Sequence, residues 1–337
     1  MHLPSIPLSI LDRANAREGS SAADALAATV RRAQHAEQLG YRRFWVAEHH
    51  GVPGIAGSAP TVLMAAVAAQ TRRIRVGSGG VMLPSHQPLV VAEHAATLQA
   101  LFPGRIDLGI GRSVGFTPAV RSALRRDRDA ADRFAEDLAE LLSYLGGTAA
   151  ITARPYDGGA TPPFVLATGK GAEIAARAGL AVVVGGPAFT GRKPELARGV
   201  LERYRKNFRP STYYAEPYVI ASANVAVADS SEAARELLLP EAWAMAQSRT
   251  RGEFPPLEPV DSIRATSMTA RQQALLSDTL AAAVHGTADQ VASRLALLLE
   301  ATGADELMVT TNTFDTAALA ETDRRLAALF ELPGQTR

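Results

Sequence analysis

Short apolar runs alternate with longer amphipathic segments along almost the whole chain. The runs are rich in Val, Ile and Phe, as buried parallel strands are, and the segments between them carry apolar residues at helical spacing. Eight strands are predicted, at 7–11, 44–46, 74–76, 106–110, 164–167, 181–184, 219–227 and 307–310. Alternation of this kind is typical of β/α units around a parallel sheet.

Capping residues set the predicted ends of the helices. Ser20 or Ser21 can begin the first helix and Gly40 can end it, and Thr287 with Gln290 forms a capping box before a late helix. Further helices are predicted at 60–69, 88–101, 130–145, 172–178, 194–207, 231–248 and 316–330. A polar, arginine-rich loop over 113–129, irregular structure over 146–163, and a mobile excursion over 250–259 with short helical pieces near 272–280 interrupt the pattern.

The number of strands favours one closed (β/α)8 TIM barrel over residues 1–337, with insertion loops. An open, doubly wound sheet fits the same alternation. No linker divides the chain. In either architecture the chemistry is expected on loops that follow strands.

Composition narrows the functional classes. With 47% apolar residues, a net charge of +1 and no cysteine, the sequence indicates a globular protein without disulfides, thiolate metal sites or a cysteine nucleophile. The charge gives no reason to expect nucleic acid or an anionic membrane as a partner. The first residues lack a basic leader, and no apolar run approaches the roughly 20 residues of a membrane span. We therefore expect a cytoplasmic protein that does not cross a membrane.

The densest polar cluster, Glu48, His49 and His50, directly follows the second strand. Side chains alternate in direction along an extended segment, so Glu48 and His50 can face one way together while His49 faces the other. Its position favours a catalytic or cofactor-binding role. The alternative is that the histidines pair with Glu48 and hold the loop. A metal site is not predicted.

Two further features follow the third and fourth strands. Gly79 and Gly80 allow a flat ligand to approach the backbone closely, or they form a tight turn without a ligand; their spacing is not that of a dinucleotide fingerprint. Arg112 comes directly after the fourth strand. It can bind a phosphate or carboxylate with two hydrogen bonds, or form a salt bridge at the rim of the barrel.

A last loop joins the fifth strand to a helix and consists of Thr168, Gly169, Lys170 and Gly171. Free amide groups and the dipole at the start of a helix attract anions, and the lysine adds positive charge. The loop is thus a candidate phosphate site, although an ordinary short turn has the same sequence.

Taken in order, the segments AEHHGVPGIAGSAP, IRVGSGGVMLP, HQPLVVAEH and LFPGRIDLGIGR closely resemble the bacterial luciferase-like flavin-dependent monooxygenases. The likeness is strongest to the actinobacterial subgroup that tailors antibiotics and polyketides. It is dense from Leu8 to Arg112, and AEIAARAGL and HGTADQVASRL continue it more thinly.

The resemblance implies a luciferase-like TIM barrel with FMN across the carboxyl ends of its strands. FMN would arrive reduced from a separate flavin reductase and react with O2 to give a flavin hydroperoxide, which oxygenates an apolar or aromatic small molecule such as a natural-product intermediate. It also implies a homodimer. A deazaflavin-dependent oxidoreductase on the same fold and a non-catalytic flavin-binding barrel are the alternatives.

Residue by residue, the resemblance implies that His49 lies beside the flavin and transfers protons, with Glu48 and His50 as its neighbours. Gly79 and Gly80 match a pair joined by a cis peptide against the flavin ring. Arg112 matches a phosphate-binding arginine, and the loop from Thr168 to Gly171 matches a second phosphate contact. That loop lacks the serine-rich stretch of close relatives, and Gly185 to Pro187 replaces a histidine-bearing segment, so a diverged substrate pocket is expected.

Overall fold

A computed structural model describes residues 3–114, 117–156, 158, 161–167, 169–185 and 194–334. The predictions for Thr168 and for residues 186–187 lie outside the described residues. The strands are β1 (Leu8–Asp12), β2 (Arg43–Val46), β3 (Arg75–Ser78), β4 (Val81–Met82), β5 (Ile106–Gly111), β6 (Pro163–Leu166), β7 (Ala181–Gly185), β8 (Val219–Ala223), β9 (Val225–Val227), β10 (Val284–Gly286) and β11 (Glu306–Val309).

The helices surround these strands. They are α1 (Ala22–Leu39), α2 (Pro60–Ala69), α3 (Pro88–Leu101), α4 (Pro118–Ala123), α5 (Phe134–Leu145), α6 (Lys170–Ala178), α7 (Pro194–Asn207), α8 (Ser231–Arg251), α9 (Val260–Ala265), α10 (Ala270–Ala282), α11 (Ala288–Thr302) and α12 (Thr316–Leu329). Ser21, rather than Ser20, caps α1 in a capping box, and Gly40 ends that helix with a left-handed φ of 87°. None of the helices in the described part of the chain is long and apolar enough to cross a bilayer.

All eight predicted strands are present, and they close into a parallel barrel. The sheet order is β3-β2-β1-β11-β8-β7-β6-β5-β4, and a further pairing of β3 with β5 joins its ends. The short β4, which the sequence pattern did not predict, continues β3 beyond Gly79 and Gly80 and pairs with β5. The open, doubly wound alternative is therefore wrong, and the (β/α)8 barrel is confirmed.

One predicted strand is in fact two. The segment 219–227 divides at Asn224 into β8, which belongs to the barrel, and β9, which leaves it to pair with β10 outside. The amide of Val284 donates to the carbonyl of Asn224 at 2.9 Å, which begins this second sheet. The apolar run correctly predicted extended backbone over this segment. It did not indicate that the first part pairs within the barrel and the second part pairs with β10.

The predicted irregular segments contain more structure than their composition indicated. Helix α4 lies within the predicted loop 113–129, and a 3-10 helix from Arg128 to Arg133 precedes α5, so the predicted helix 130–145 is only partly α-helical. Helix α10 is longer than the short pieces predicted near 272–280, because Thr269 and Gln272 cap its start.

The segment after α8 is tied to the barrel mouth. Gly54 donates to the carbonyl of Phe254 at 2.9 Å, and Leu257 donates to the carbonyl of Ala16 at 2.9 Å. These bonds fasten the excursion predicted over 250–259 to the loops that follow β1 and β2. The segment therefore forms part of the wall around the carboxyl ends of these strands.

Charged side chains fill the opposite end of the barrel interior. Arg43, at the start of β2, donates to Asp107 at 2.7 Å and to Glu306 at 3.0 Å, and both carboxylates are fully buried. Buried charges are stable only when paired and hydrogen-bonded, and here Trp45 and Tyr218 donate further bonds to the two carboxylates. These paired charges fill this end of the barrel interior.

Candidate active site

The carboxylate of Glu48 joins three segments at the mouth of the barrel. Glu48 follows β2 and is buried, and it accepts hydrogen bonds from Nε2 of His50 at 2.7 Å, Nε2 of His86 at 2.9 Å and the amide of Met82 at 3.0 Å. Burial alone would raise the pKa of Glu48, but these donors outweigh it and lower the pKa below its ordinary value. Glu48 is therefore an ionised hub that holds the loop after β2 against β4.

No pattern in the sequence pointed to His86. It lies on a 3-10 turn beyond β4, and only the closure of the barrel brings it to Glu48. One ligand atom from each of Glu48, His50 and His86 lies within 4.8 Å of the others, a spacing that could also hold a metal ion. The 2.7 and 2.9 Å separations are those of hydrogen bonds, so we interpret the group as a hydrogen-bonded cluster around an ionised carboxylate.

His49 lies between Glu48 and His50 in the chain and is half-buried. Its backbone amide donates to the carbonyl of Gly57 at 2.9 Å. Burial is the largest influence on its imidazole and, together with the nearby Arg13, lowers the pKa to about 4 against the opposing effect of Glu48. At neutral pH the ring is uncharged and has a nitrogen that can accept a proton.

The two glycines after β3 form a tightly enclosed turn. The peptide bond between Gly79 and Gly80 is cis, and the amide of Gly79 donates to the carbonyl of Val46 at 2.8 Å. A methyl group at Gly79 would overlap the side chain of Leu11, and one at Gly80 would lie 2.7 Å from the carbonyl oxygen of Gly109. Packing against backbone therefore requires glycine at Gly80, whereas a methyl group at Gly79 would require Leu11 to move, and the turn presents bare backbone beside the end of β2.

Arg112 and the loop before α6 lie at the ends of neighbouring strands, since β5 and β6 pair in parallel with Ile110 opposite Val165. Arg112 donates from Nε to the carbonyl of Ala131 at 2.9 Å, and its Nη2 lies 3.4 Å from Asp132, so the salt bridge considered from sequence is present in a long form. Its side chain is 38% exposed at the rim, and within the described part of the chain its remaining N–H donors have no partner.

The helix after β6 begins two residues earlier than predicted, at Lys170. Gly169 precedes it with φ of 60° and makes no side-chain cap. The first amides of a helix have no carbonyl partner within it, and the buried Gly171 keeps that end narrow because a methyl group there would lie 2.7 Å from Ala167. Gly169, Lys170 and Gly171 thus form an amide-rich helix start next to Arg112.

A cavity of about 440 Å³ opens on the other side of the mouth, between the ends of β1, β8 and β11 and the helices α8 and α10. Arg13, just after β1, is ion-paired with the buried Glu241 of α8 at its floor. Neither residue was predicted from the sequence. Arg13 directly follows a strand, and that position could have marked it as a candidate site residue. Glu241 lies inside a long helix, where no feature of the sequence marks it.

Comparison with known proteins places the chain in a family. The family model for luciferase-like monooxygenases matches residues 7–306. A luciferase-like monooxygenase of Escherichia coli K12 is 37% identical over 320 residues, 92% of each chain. The crystal structure of apo-MsnO8 superposes with a TM-score of 0.87 at 33% identity, over 98% of this chain and 99% of that one.

Two more distant structures share the fold alone. One is the oxygenating constituent of 3,6-diketocamphane monooxygenase from Pseudomonas putida in complex with FMN, 18% identical, with a TM-score of 0.71 over 96% of each chain. The other is the coenzyme F420-dependent tetrahydromethanopterin reductase from Methanopyrus kandleri, 16% identical, with a TM-score of 0.68 over 97% of this chain and 98% of that one. From the match over residues 7–306, this chain belongs to the luciferase-like monooxygenase family and is a flavin-dependent monooxygenase by class.

Proposed function

We propose that this protein uses reduced FMN and O2 to oxygenate an apolar or aromatic small molecule, of the kind found among natural-product intermediates. The observation that carries the proposal is the placement of His49. Its half-buried, uncharged imidazole lies on the loop after β2, whose last residue, Val46, accepts a hydrogen bond from the amide of Gly79, at the end of the barrel where a mainly apolar cavity opens. A proton-transfer group, a surface for a flat ring and room for an organic molecule are thus combined at one mouth.

The groups on this side of the mouth fit FMN. Arg112, Lys170 and the first amides of α6 are hydrogen-bond donors at the ends of adjacent strands, which is the donor set that a phosphate requires. Gly79 and Gly80 offer bare backbone against which the flavin ring can lie. Reduced FMN, when bound, supplies the electrons that activate O2.

The remaining residues prepare the site. His49 holds or moves a proton at its imidazole, and Glu48 positions the loop that carries it through His50, His86 and the amide of Met82. The segment from Phe254 to Leu257 covers the loops after β1 and β2, and this cover limits the access of water to the mouth.

Two partners complete the proposal. A separate flavin reductase delivers reduced FMN. A second copy of the chain packs against α2 and α3, whose most exposed positions carry no acidic or basic side chain except His94 and are often apolar. Val62 is 69% exposed and Leu101 63% exposed, and Ala66 and Ala69 extend the exposed stripe on α2 at helical spacing.

A cofactor titration tests the proposed function. FMN, F420 and their reduced forms are added separately to the protein, and binding is followed by fluorescence. Oxygen consumption is then recorded with a flavin reductase and NADH, in the presence and absence of the protein and candidate aromatic substrates. We expect FMN to bind more tightly than F420, and an oxygenated product to form only when the protein, reductase and O2 are all present.

The opposite pattern would overturn the assignment. Preferential binding of reduced F420, with hydride transfer and no dependence on O2, would identify a deazaflavin-dependent oxidoreductase on the same fold. Binding of FMN without turnover of any aromatic or apolar substrate tried would favour a non-catalytic flavin-binding barrel.

A further inference from the structure

The cavity between β1, β8 and β11 is distinct from the residues that fit FMN. Helices α8 and α10 contribute apolar side chains to its wall, including Met245, Leu275 and Ala282. None of Gly79, Gly80, Arg112 and the described residues 169–171 lines it. Its volume of about 440 Å³ is at the lower end of the range for small-molecule sites. A molecule of roughly ten to twenty non-hydrogen atoms fits such a space.

The cavity nevertheless adjoins the catalytic side of the mouth. Leu11 lines it and packs so closely on Gly79 that a methyl group there would overlap the leucine side chain. Arg13 also lines it and is near enough to His49 for its charge to act on the imidazole. A molecule in the cavity therefore contacts Leu11, which packs on the glycine turn, and Arg13, whose charge acts on His49.

The floor of the cavity holds one unsatisfied donor. The carboxylate of Glu241 is occupied: it pairs with a terminal nitrogen of Arg13, accepts from the backbone amide of Asn312 at 3.2 Å, and has Nδ2 of Asn224 at 3.4 Å. The Nε of Arg13 is buried and has no hydrogen-bond partner within the described part of the chain. A buried N–H without an acceptor is costly, and an oxygen atom of a ligand would remove that cost.

We propose that this cavity binds the organic substrate, and that the substrate combines an apolar body with a carbonyl or carboxylate oxygen that accepts a hydrogen bond from Nε of Arg13. The apolar body lies against the side chains of α8 and α10, and the oxygen fixes its orientation. The assignment of the ligand as substrate rests on the proposed function, whereas its binding can be measured without any turnover.

Three naphthalene probes of similar size test the proposal. 2-Acetylnaphthalene and 2-naphthoate carry an accepting oxygen, and 2-ethylnaphthalene carries none; fluorescence anisotropy gives the dissociation constant of each for the full-length protein. We expect the two oxygen-bearing probes to bind about tenfold more tightly than 2-ethylnaphthalene, the effect of one buried hydrogen bond.

Two tryptophan variants locate the binding. Ala282 lines the cavity at the end of α10, whereas its neighbour Ala281 is exposed and does not line it. Ala282→Trp should weaken all three probes at least about tenfold by filling the space, and Ala281→Trp should leave their binding unchanged. FMN binding, measured in parallel, should be unaffected in both variants, and thermal unfolding checks that both remain folded.

A third variant tests the hydrogen bond itself. Arg13→Lys keeps a positive charge beside Glu241 but removes the Nε donor, so it should abolish the preference for oxygen-bearing probes while 2-ethylnaphthalene still binds. Equal binding of all three probes to the wild-type protein would refute the role of Arg13. Loss of FMN binding together with probe binding in Ala282→Trp would show that the cavity belongs to the cofactor. Binding of the probes without any binding of FMN would contradict the proposed function but would still support a ligand site in this cavity.

Discussion

Glu48 and His86 are 38 residues apart in the sequence, yet Nε2 of His86 donates to the Glu48 carboxylate at 2.9 Å. The bond joins the loop after β2 to the turn after β4, and the amide of Met82, at the end of β4, donates a second bond to Glu48 at 3.0 Å. Everything proposed for His49 depends on this connection, since His49 follows Glu48 directly in the chain.

Replacing Glu48 by Gln should disturb the mouth of the barrel. The carboxylate of Glu48 accepts three hydrogen bonds. The NH2 group of glutamine would face one of these three N–H donors, and that buried donor would lose its acceptor. We expect the free energy of unfolding to fall by about 1–3 kcal/mol. Urea denaturation measures this loss, and Glu18→Gln, at an exposed position, is the matched control. An unchanged unfolding midpoint in Glu48→Gln would show that the cluster does not hold the loop.

The lowered pKa of His49 predicts how activity depends on acidity. Because the pKa is about 4, the imidazole stays neutral throughout the range in which an ordinary histidine titrates. The rate of product formation should therefore hold as the pH falls through 6.5 and decline only towards pH 4. Asn at this position should lower the rate by about 100-fold or more and remove that decline. A wild-type rate profile with its midpoint near 6.5 would contradict the assignment.

The same shift predicts a pH dependence of stability. The folded-state pKa lies below the unfolded value, so the unfolded chain binds more protons between the two, and stability is lost as the pH falls from 6.5 towards 4. The contribution is ~3 kcal/mol at most. His49→Asn should flatten the slope of unfolding free energy over this window, while the exposed-site variant His94→Asn should keep the wild-type slope.

Arg112 should distinguish phosphorylated from unphosphorylated flavin. Arg112→Ala removes donors at the proposed phosphate site, so FMN should bind about 10- to 100-fold more weakly while riboflavin, which lacks the phosphate, binds as before. Isothermal titration calorimetry with both flavins measures the difference. Arg133 is an exposed arginine at the end of the 3-10 helix from Arg128 to Arg133. Arg133→Ala should change the affinity for neither flavin. Equal weakening of FMN and riboflavin would point to a role in folding of the rim.

The exposed stripe on α2 should control association. Val62→Glu places a charge in the proposed interface and is expected to convert a dimer to a monomer, as measured by size-exclusion chromatography with light scattering. Leu297→Glu is the control, because Leu297 is 60% exposed on α11, away from α2 and α3. A monomeric wild-type protein, or an unaffected Val62→Glu variant, would remove the proposed interface.

The sequence predicted local features well because they depend on neighbouring residues. Gly40 and the Thr287–Gln290 pair define helix ends through short-range hydrogen bonds, and both are found at those ends. Glu48 and His50 face the same way because side chains alternate in an extended segment. The family motifs between Leu8 and Arg112 could likewise be identified from the sequence, because each is a continuous segment of the chain.

What the sequence alone determined was therefore the repeating strand and helix units, their caps, and the residues that end each strand. The tertiary structure decided which of those ends meet. Closure of the barrel brought His86 to Glu48, divided the strand at Asn224, and paired Arg13 with Glu241 across 228 residues of chain. The hydrophobic periodicity could not predict these contacts. They depend on strand register and on helix packing, and the number of residues between two segments does not determine how far apart the segments lie in space.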